Sequence, residues 1–175
     1  HELLWTVLGS RVHEYDGPMG PVKGVAFAVW APRAKAVRVI GDFNDWDGRI
    51  HPMRMLGGSG VWELFVPDVG VGNIYKYEIR GADDVVRTKA DPMARRTECP
   101  PNTGSVVDAS GHEWGDAQWM EQRAQSNPHT GPMSTYEVHL GSWRQGLSYR
   151  DMAEHLVNYV KDLGFTHVEF LPVAE

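Results

Sequence analysis

The chain has 175 residues, of which 42% are hydrophobic and 23% charged, and its formal net charge is −6 at pH 7. This composition is typical of a globular protein, and the acidic balance argues against a nucleic-acid partner. No apolar run approaches the roughly 20 residues that cross a bilayer, so we expect no membrane association. The eight histidines are scattered and there is one cysteine, Cys99. We therefore expect no metal site and no internal disulfide. The N-terminus has no signal-peptide pattern, so we expect a cytoplasmic protein.

The first part of the chain contains short β-like runs separated by turn residues. These runs lie at 24–31, 36–40, 61–66 and 73–80, with shorter candidates at 85–87 and 105–107. In the fourth run, Tyr75 and Tyr77 alternate with Lys76, which predicts a buried face and a solvent face. Close strand spacing without helical patterns between the runs predicts an antiparallel β-sandwich or barrel over residues 1–108. Trp30 and Trp62 lie within strand patterns and are predicted to pack in the core.

Residues 41–48, GDFNDWDG, place a large aromatic residue among turn formers. A calcium loop counted from Asp42 would need Asp or Asn at its fifth position, where Trp46 stands, so the EF-hand pattern fails. Two interpretations remain open for the indole of Trp46. It could stack on the apolar face of a sugar while Asn44 and Asp45 bond its hydroxyl groups, or it could fold back and cap the sandwich.

In the second part of the chain, the spacing of apolar residues changes from short strand-like runs to a mixture of strand and helix patterns. Residues 109–133 are predicted to form a connector with a short helix at 116–124. From residue 134 onward, a strand at 135–140, a helix that begins after Ser148 and a strand at 165–171 predict one β-α-β unit. One such unit cannot bury its own faces, so we interpret 134–175 as the truncated opening of a larger α/β domain, with a barrel as the favoured architecture.

These segments resemble two parts of one known family. The first part resembles glycogen-binding modules of family 48 through GVAFAVWAPRAKAVRVIGDFNDWDGRIHPM, GVWELFVPDVGVGNIYKYEI and KADPMA. The second part resembles the start of the catalytic barrel in bacterial 1,4-alpha-glucan branching enzymes of the alpha-amylase superfamily, through YEVHLGSWRQGLSYRDMAEHLVNYVKDLGFTHVEFLPVAE. The resemblance implies an all-β immunoglobulin-like sandwich followed by the first β-α-β unit of a (β/α)8 barrel.

The resemblance also implies an activity. Such enzymes cleave an alpha-1,4 linkage in a glucan and rejoin the fragment through an alpha-1,6 linkage during glycogen synthesis. The mechanism is retaining, with one carboxylate as nucleophile and another carboxyl group as acid/base, and it needs no cofactor or metal. The implied partners are glycogen and maltooligosaccharides, and a monomer is expected. In the family, the catalytic carboxylates follow later barrel strands, so we assign no catalytic residue to these 175 positions.

The implied glucan site uses two tryptophans and a lysine in glucan-binding relatives such as the beta subunits of AMP-activated kinase. Trp46 matches the first tryptophan and Lys76 matches the lysine, with Asn44 and Asp45 beside the indole. The second tryptophan falls near Val86, whose side chain cannot form an indole platform. The sequence therefore predicts a glucan site of reduced affinity.

Two alternatives stay open on the sequence. A non-catalytic glucan-binding module would have no use for a β-α-β unit. A trehalohydrolase or a debranching enzyme of the same superfamily would share the layout of module and barrel, and the stretch YEVHLGSWR favours branching over either.

Overall fold

A computed structural model describes residues 3–173. The chain divides into two compact units, His1–Gly111 and His112–Glu175. The finer division of the chain at residues 108 and 133 stays a prediction.

The first unit is built from two antiparallel sheets. Its strands in chain order are β1 (Gly9–Gly17), β2 (Gly20–Trp30), β3 (Ala36–Gly41), β4 (Arg54–Met55), β5 (Val61–Pro67), β6 (Ile74–Arg80), β7 (Val86–Lys89), β8 (Arg96–Thr97) and β9 (Ser105–Val106). One sheet has the order β1-β2-β5-β4, and the other has the order β3-β6-β9-β8 with β7 also paired to β6. Short 3-10 helices occur at Leu4–Thr6, Asp42–Asn44 and Gly48–Ile50.

The core of the first unit lies between the inward faces of these sheets. Alternation along the strands supplies it, because successive side chains point to opposite faces. Its buried members are Val25, Phe27, Val29, Val37, Val39, Met53, Trp62, Val66, Val69, Tyr75, Tyr77 and Val107. Fully burying a side chain such as that of Phe27 stabilises the fold by roughly 1.5–3 kcal/mol. A two-layer β-sandwich is therefore confirmed.

A buried carboxylate sits within this core. Asp91 accepts hydrogen bonds from the hydroxyl of Tyr75 at 2.6 Å and from that of Tyr77 at 3.2 Å. Its other oxygen accepts from the Met93 backbone N–H at 2.8 Å. Burial raises the pKa of Asp91 above its usual value, and the hydrogen bond from Tyr75 opposes that shift. The carboxylate thus joins β6 to the segment that follows β7.

The predicted strands of the first unit are all present with ends within two residues of those expected, except that β2 begins four residues earlier. Strands β1, β4 and β8 were not predicted. Trp62 is buried as expected. The prediction that Trp30 packs in the core is wrong, because its side chain is 63% exposed. Trp30 stands at the last position of β2 and belongs to the alternate set of side chains that point away from the core.

The described part of the second unit, residues 112–173, contains three helices and two strands. They are α1 (Ala117–Gln125), β10 (Thr135–Val138), α2 (Leu140–Trp143), α3 (Tyr149–Asp162) and β11 (His167–Phe170). The two strands pair in parallel, and the Ser148 hydroxyl caps α3 by accepting from the Asp151 backbone N–H at 3.3 Å. A small apolar cluster joins β10 to α3 through Val138, Leu156 and Val160.

Among the described helices, none is both long and apolar enough to cross a membrane.

Candidate functional site

The loop that follows β3 holds two consecutive residues in left-handed backbone conformations. Asp45 has φ 53° and Trp46 has φ 61°. Non-glycine residues adopt this region at a cost of roughly 1–2 kcal/mol each, and such strain persists only where neighbouring contacts enforce it. The Trp46 N–H donates to the Gly41 carbonyl at 2.9 Å, and the Asp47 N–H donates to the Asn44 carbonyl at 2.9 Å. The loop is therefore closed by its own backbone.

Asn44 is the internal support of this loop. Its side-chain oxygen accepts from the Gly41 N–H at 2.8 Å, and its side-chain nitrogen donates to the Val39 carbonyl at 3.0 Å. The same nitrogen lies 2.8 Å from Nδ1 of His51. Asn44 is 6% exposed, so its amide has no free surface for a ligand. The sequence predicted Asn44 as a direct ligand contact; the structure places its side chain in hydrogen bonds that support the loop.

The bonding of Asn44 fixes the state of the His51 ring. An amide NH2 group offers two donors, and one of them serves Val39. The second donates to His51 Nδ1, which we assign as unprotonated from this hydrogen-bond pattern. Burial lowers the pKa of His51 below its usual 6.5, and a lowered pKa favours the neutral ring that this contact needs.

Two carboxylates anchor the loop at its ends. The Asp42 carboxylate accepts from the Asn73 side chain at 2.8 Å and from the Ile74 backbone N–H at 3.0 Å, which ties the start of the loop to β6. The Asp47 carboxylate accepts from Arg49 Nε at 2.8 Å. These hydrogen bonds from Arg49 hold the pKa of Asp47 at about 2, so its charge persists at any physiological pH.

Gly48 brings the far side of the loop onto the outward face of β3. A Cβ atom at this glycine would lie 2.8 Å from Cβ of Arg38 and 3.0 Å from Cγ2 of Ile40, so only glycine allows this approach. Ile40 is paired directly with Lys76 of β6. Because directly opposed residues in an antiparallel pair share a face, the loop and Lys76 occupy the same outward face of this sheet. The Lys76 ammonium donates to the Thr103 hydroxyl at 2.7 Å.

The loop and the neighbouring outward face expose an indole and several polar atoms. Trp46 is 43% exposed, and Asp45 beside it is exposed. An indole can cover an apolar ring face while an ammonium and a carboxylate bond the polar rim of the same molecule. Val86 is paired with Arg80, lies on this same outward face and is 54% exposed. It adds a small apolar surface to this face.

The described residues offer no alternative metal chemistry. Between residues 3 and 173, no group of three His, Cys, Asp or Glu side chains could hold a metal ion. The groups that the loop and this face do offer are an indole, an ammonium and a carboxylate, which are suited to stacking and hydrogen bonding.

A known family model matches most of the first unit. The model for carbohydrate-binding module 48, described as the isoamylase N-terminal domain, matches residues 7–94. The chain belongs to this family. The match includes both Trp46 and Lys76, and it ends just after the buried Asp91.

Relatives and solved structures extend the similarity to the whole chain. The chain is 58% identical over 175 residues to the 1,4-alpha-glucan branching enzyme GlgB of Rhodococcus jostii, covering 100% of this chain and 24% of that protein. It is 61% identical over 175 residues to GlgB of Thermobifida fusca, covering 100% and 23%. The chain therefore spans about a quarter of the length of the curated relatives it matches.

Two solved structures share the fold. One is a putative alpha amylase from Salmonella typhimurium, with a TM-score of 0.59 and 25% identity over 97% of this chain and 25% of that chain. The other is the PulA-G680L mutant from Klebsiella pneumoniae, with a TM-score of 0.60 and 21% identity over 98% of this chain and 18% of that chain.

Proposed function

We propose that this chain is the N-terminal part of a 1,4-alpha-glucan branching enzyme, and that its first unit binds the glucan on which the enzyme acts. The observation that carries the proposal is the high identity to curated branching enzymes across both units. A free-standing binding module would account for residues 7–94 but not for similarity over the β-α-β unit.

The reaction breaks one alpha-1,4 bond and forms one alpha-1,6 bond, with a glucan 6-hydroxyl as acceptor in place of water. A retaining mechanism passes through a covalent glycosyl-enzyme on a carboxylate, while a second carboxyl group first donates and then accepts a proton. The proposal assigns neither carboxylate to these 175 residues and requires no metal or cofactor. The part assigned to this chain is to hold substrate.

Glucan binding in this proposal centres on Trp46. Its indole covers the apolar face of a glucose ring, while the Asp45 carboxylate and the Lys76 ammonium bond hydroxyl groups on the rim. Asn44 contributes by holding the loop in the strained conformation that presents the indole. Val86 supplies no second platform, so a short glucan binds more weakly than it would between two tryptophans.

The second unit takes a structural role in the proposal. Its parallel strands β10 and β11, joined through α3, form the first β-α-β unit of a (β/α)8 barrel, and the sandwich is of the immunoglobulin-like type. We further propose that the protein is a monomer in the cytoplasm.

An amylose assay tests the activity. The full-length polypeptide that carries these residues is incubated with amylose, and iodine colour and reducing ends are followed together. Branching lowers the iodine absorbance while reducing ends stay constant, because each bond broken is replaced by another. A parallel rise in reducing ends would identify a hydrolase of alpha-1,4 bonds. Amylose has no alpha-1,6 bonds, so a debranching enzyme would leave it unchanged and release reducing ends from glycogen, and a trehalohydrolase would act only on a trehalose-capped maltooligosaccharide. Glycogen binding with no change in any of these substrates would identify a non-catalytic module.

A further inference from the structure

Trp5 and Trp30 are also exposed in the first unit, and Trp30 lies away from the loop that carries Trp46. Trp30 lines a groove of about 700 Å³ at the end of β2. Its side chain is 63% exposed, more than that of Trp46. Pro32 and Ile79 add apolar surface to the groove, and Arg33, Asp83 and Arg87 add charge.

The wall that carries Trp30 is fixed by contacts to β5 and the turn before it. The Ala31 N–H donates to the Gly60 carbonyl at 2.8 Å, and the Trp62 indole N–H donates to the Ala31 carbonyl at 3.0 Å. Gly60 has φ +76°, and a Cβ atom there would lie 2.6 Å from Cβ of Pro32. The turn after Trp30 is therefore held against its neighbour without any ligand.

The opposite wall is fixed by ion pairs. The Arg87 guanidinium donates to both carboxylate oxygens of Asp83, at 3.0 and 2.7 Å. Asp84 in the same turn pairs with Lys35 at 2.7 Å and with Arg80 at 2.8 Å. Lys35 directly precedes β3, so these pairs join the two sides of the groove.

The Asp83–Arg87 pair keeps free donors and acceptors for a ligand. A guanidinium has five N–H donors and a carboxylate about four acceptor positions, and the bidentate pair uses only part of each set. Both side chains are about half exposed. A hydroxyl group can therefore donate to Asp83 or accept from Arg87 without breaking their pair.

We propose that this groove is a second alpha-glucan contact, in which the Trp30 indole stacks on a glucose ring and Asp83 and Arg87 bond its hydroxyl groups. The proposal rests on the proposed function, because it takes the ligand class from there. Hydrogen bonds from Arg87 hold the pKa of Asp83 at about 2, so the pair stays charged across the physiological range.

The two contacts lie at opposite ends of β3. The Trp30 turn and Lys35 precede its first residue, Ala36, and the Trp46 loop follows its last, Gly41. Six residues at about 3.3 Å each separate the two contacts by roughly 20 Å along the strand. A long glucan that is bound at one contact reaches the other intramolecularly. Its overall affinity therefore rises, although neither contact becomes stronger by itself.

Glycogen and maltoheptaose binding to the 175-residue chain tests the proposal. Trp30→Ala should lower affinity for glycogen about fivefold, in the range of a lost aromatic stack, with no change in melting temperature. Trp30→Phe should recover part of the loss. Trp119→Ala removes an exposed indole from α1 in the other unit and should leave affinity unchanged. Arg87→Gln gives an independent readout that keeps the indole, and it should also weaken binding.

The outcomes separate the two proposals. If Trp46→Ala weakens binding while Trp30→Ala and Arg87→Gln match the native chain, the second contact is wrong and the proposed function stands. If the native chain binds neither glycogen nor maltoheptaose, the glucan-binding part of the proposed function fails. If Trp30→Ala and Trp46→Ala each weaken glycogen binding and the double variant loses it, both proposals are supported.

Discussion

The Asn44 side-chain oxygen accepts a hydrogen bond from the Gly41 backbone N–H at 2.8 Å, and this contact closes the loop that presents Trp46. The two residues are three apart, so a local bond turns the chain within one short 3-10 helix. Asp45 and Trp46 follow in left-handed conformations. The exposed indole of Trp46 therefore depends on the buried amide of Asn44.

Removing that amide should damage both the fold and the binding surface. Asn44→Ala leaves the Gly41 N–H and the Val39 carbonyl without their partner, and we expect a loss of about 2 kcal/mol in the free energy of unfolding. Glucan affinity should fall too, although Trp46 is retained. Urea denaturation and a maltoheptaose titration measure the two effects. Asp45→Asn is the matched control, because it keeps a residue tolerant of positive φ and should change stability by less than about 0.5 kcal/mol.

Substitutions at Trp46 separate backbone strain from stacking. Both Trp46→Ala and Trp46→Gly remove the platform and should weaken glucan binding equally. Glycine adopts φ 61° without the Cβ penalty, so Trp46→Gly should be more stable than Trp46→Ala by up to about 1 kcal/mol. Thermal unfolding of the two variants measures the difference. A more stable alanine variant would show that the loop relaxes out of the left-handed region.

Protonation of His51 should loosen the same loop. Its folded pKa lies below the usual 6.5 because of burial, so the unfolded chain takes up the proton first as pH falls. The contribution of His51 to stability is therefore complete above about pH 6.5 and declines as pH drops toward the folded pKa. His51→Asn keeps an acceptor for Asn44 but does not titrate. We expect its unfolding free energy to fall less than that of the native chain between pH 7 and pH 5, and identical pH profiles would contradict the lowered pKa of His51.

The buried carboxylate of Asp91 gives the opposite pH dependence. Its folded pKa is raised by burial, so its favourable contribution is present below the usual carboxylate pKa and is lost as pH rises through the folded value. As pH rises from the usual carboxylate pKa to the folded pKa of Asp91, the native chain should lose stability relative to Asp91→Asn. Asp91→Ala strips the partner from two tyrosine hydroxyls and should cost about 2 kcal/mol. Urea midpoints across an acidic pH series measure both effects, and a pH-independent difference between native and Asp91→Asn would exclude the raised pKa.

The long strands that sequence patterns predicted, β2, β3, β5 and β6, each have at least one strongly apolar face. In β6, Tyr75 and Tyr77 are fully buried, and the alternation that they create is readable in the sequence. Strand β1 was not predicted because Arg11, His13 and Glu14 interrupt any such alternation. Its nine residues pair along β2 through backbone hydrogen bonds, which side-chain periodicity does not record.

The residue types of the candidate site were readable in the sequence, whereas the contacts that each residue makes were not. The sequence placed Asn44 and Trp46 together in a turn, yet a polar residue in a turn can equally bond a ligand or its own backbone. Trp30 was misassigned because its strand is apolar on both faces, so the pattern could not tell the inward side chains from the outward one. Only the packing of the second sheet decides which face is buried.

The most direct test of the central claim is a titration of the 175-residue chain with maltoheptaose, comparing the native chain with Trp46→Ala and Lys76→Ala. We predict saturable binding by the native chain, an affinity at least fivefold lower for Trp46→Ala, a smaller loss for Lys76→Ala, and no change in melting temperature for Lys76→Ala. For Trp46→Ala, a melting temperature that falls by several degrees while the affinity holds would show that the indole packs on the sandwich and does not bind glucan.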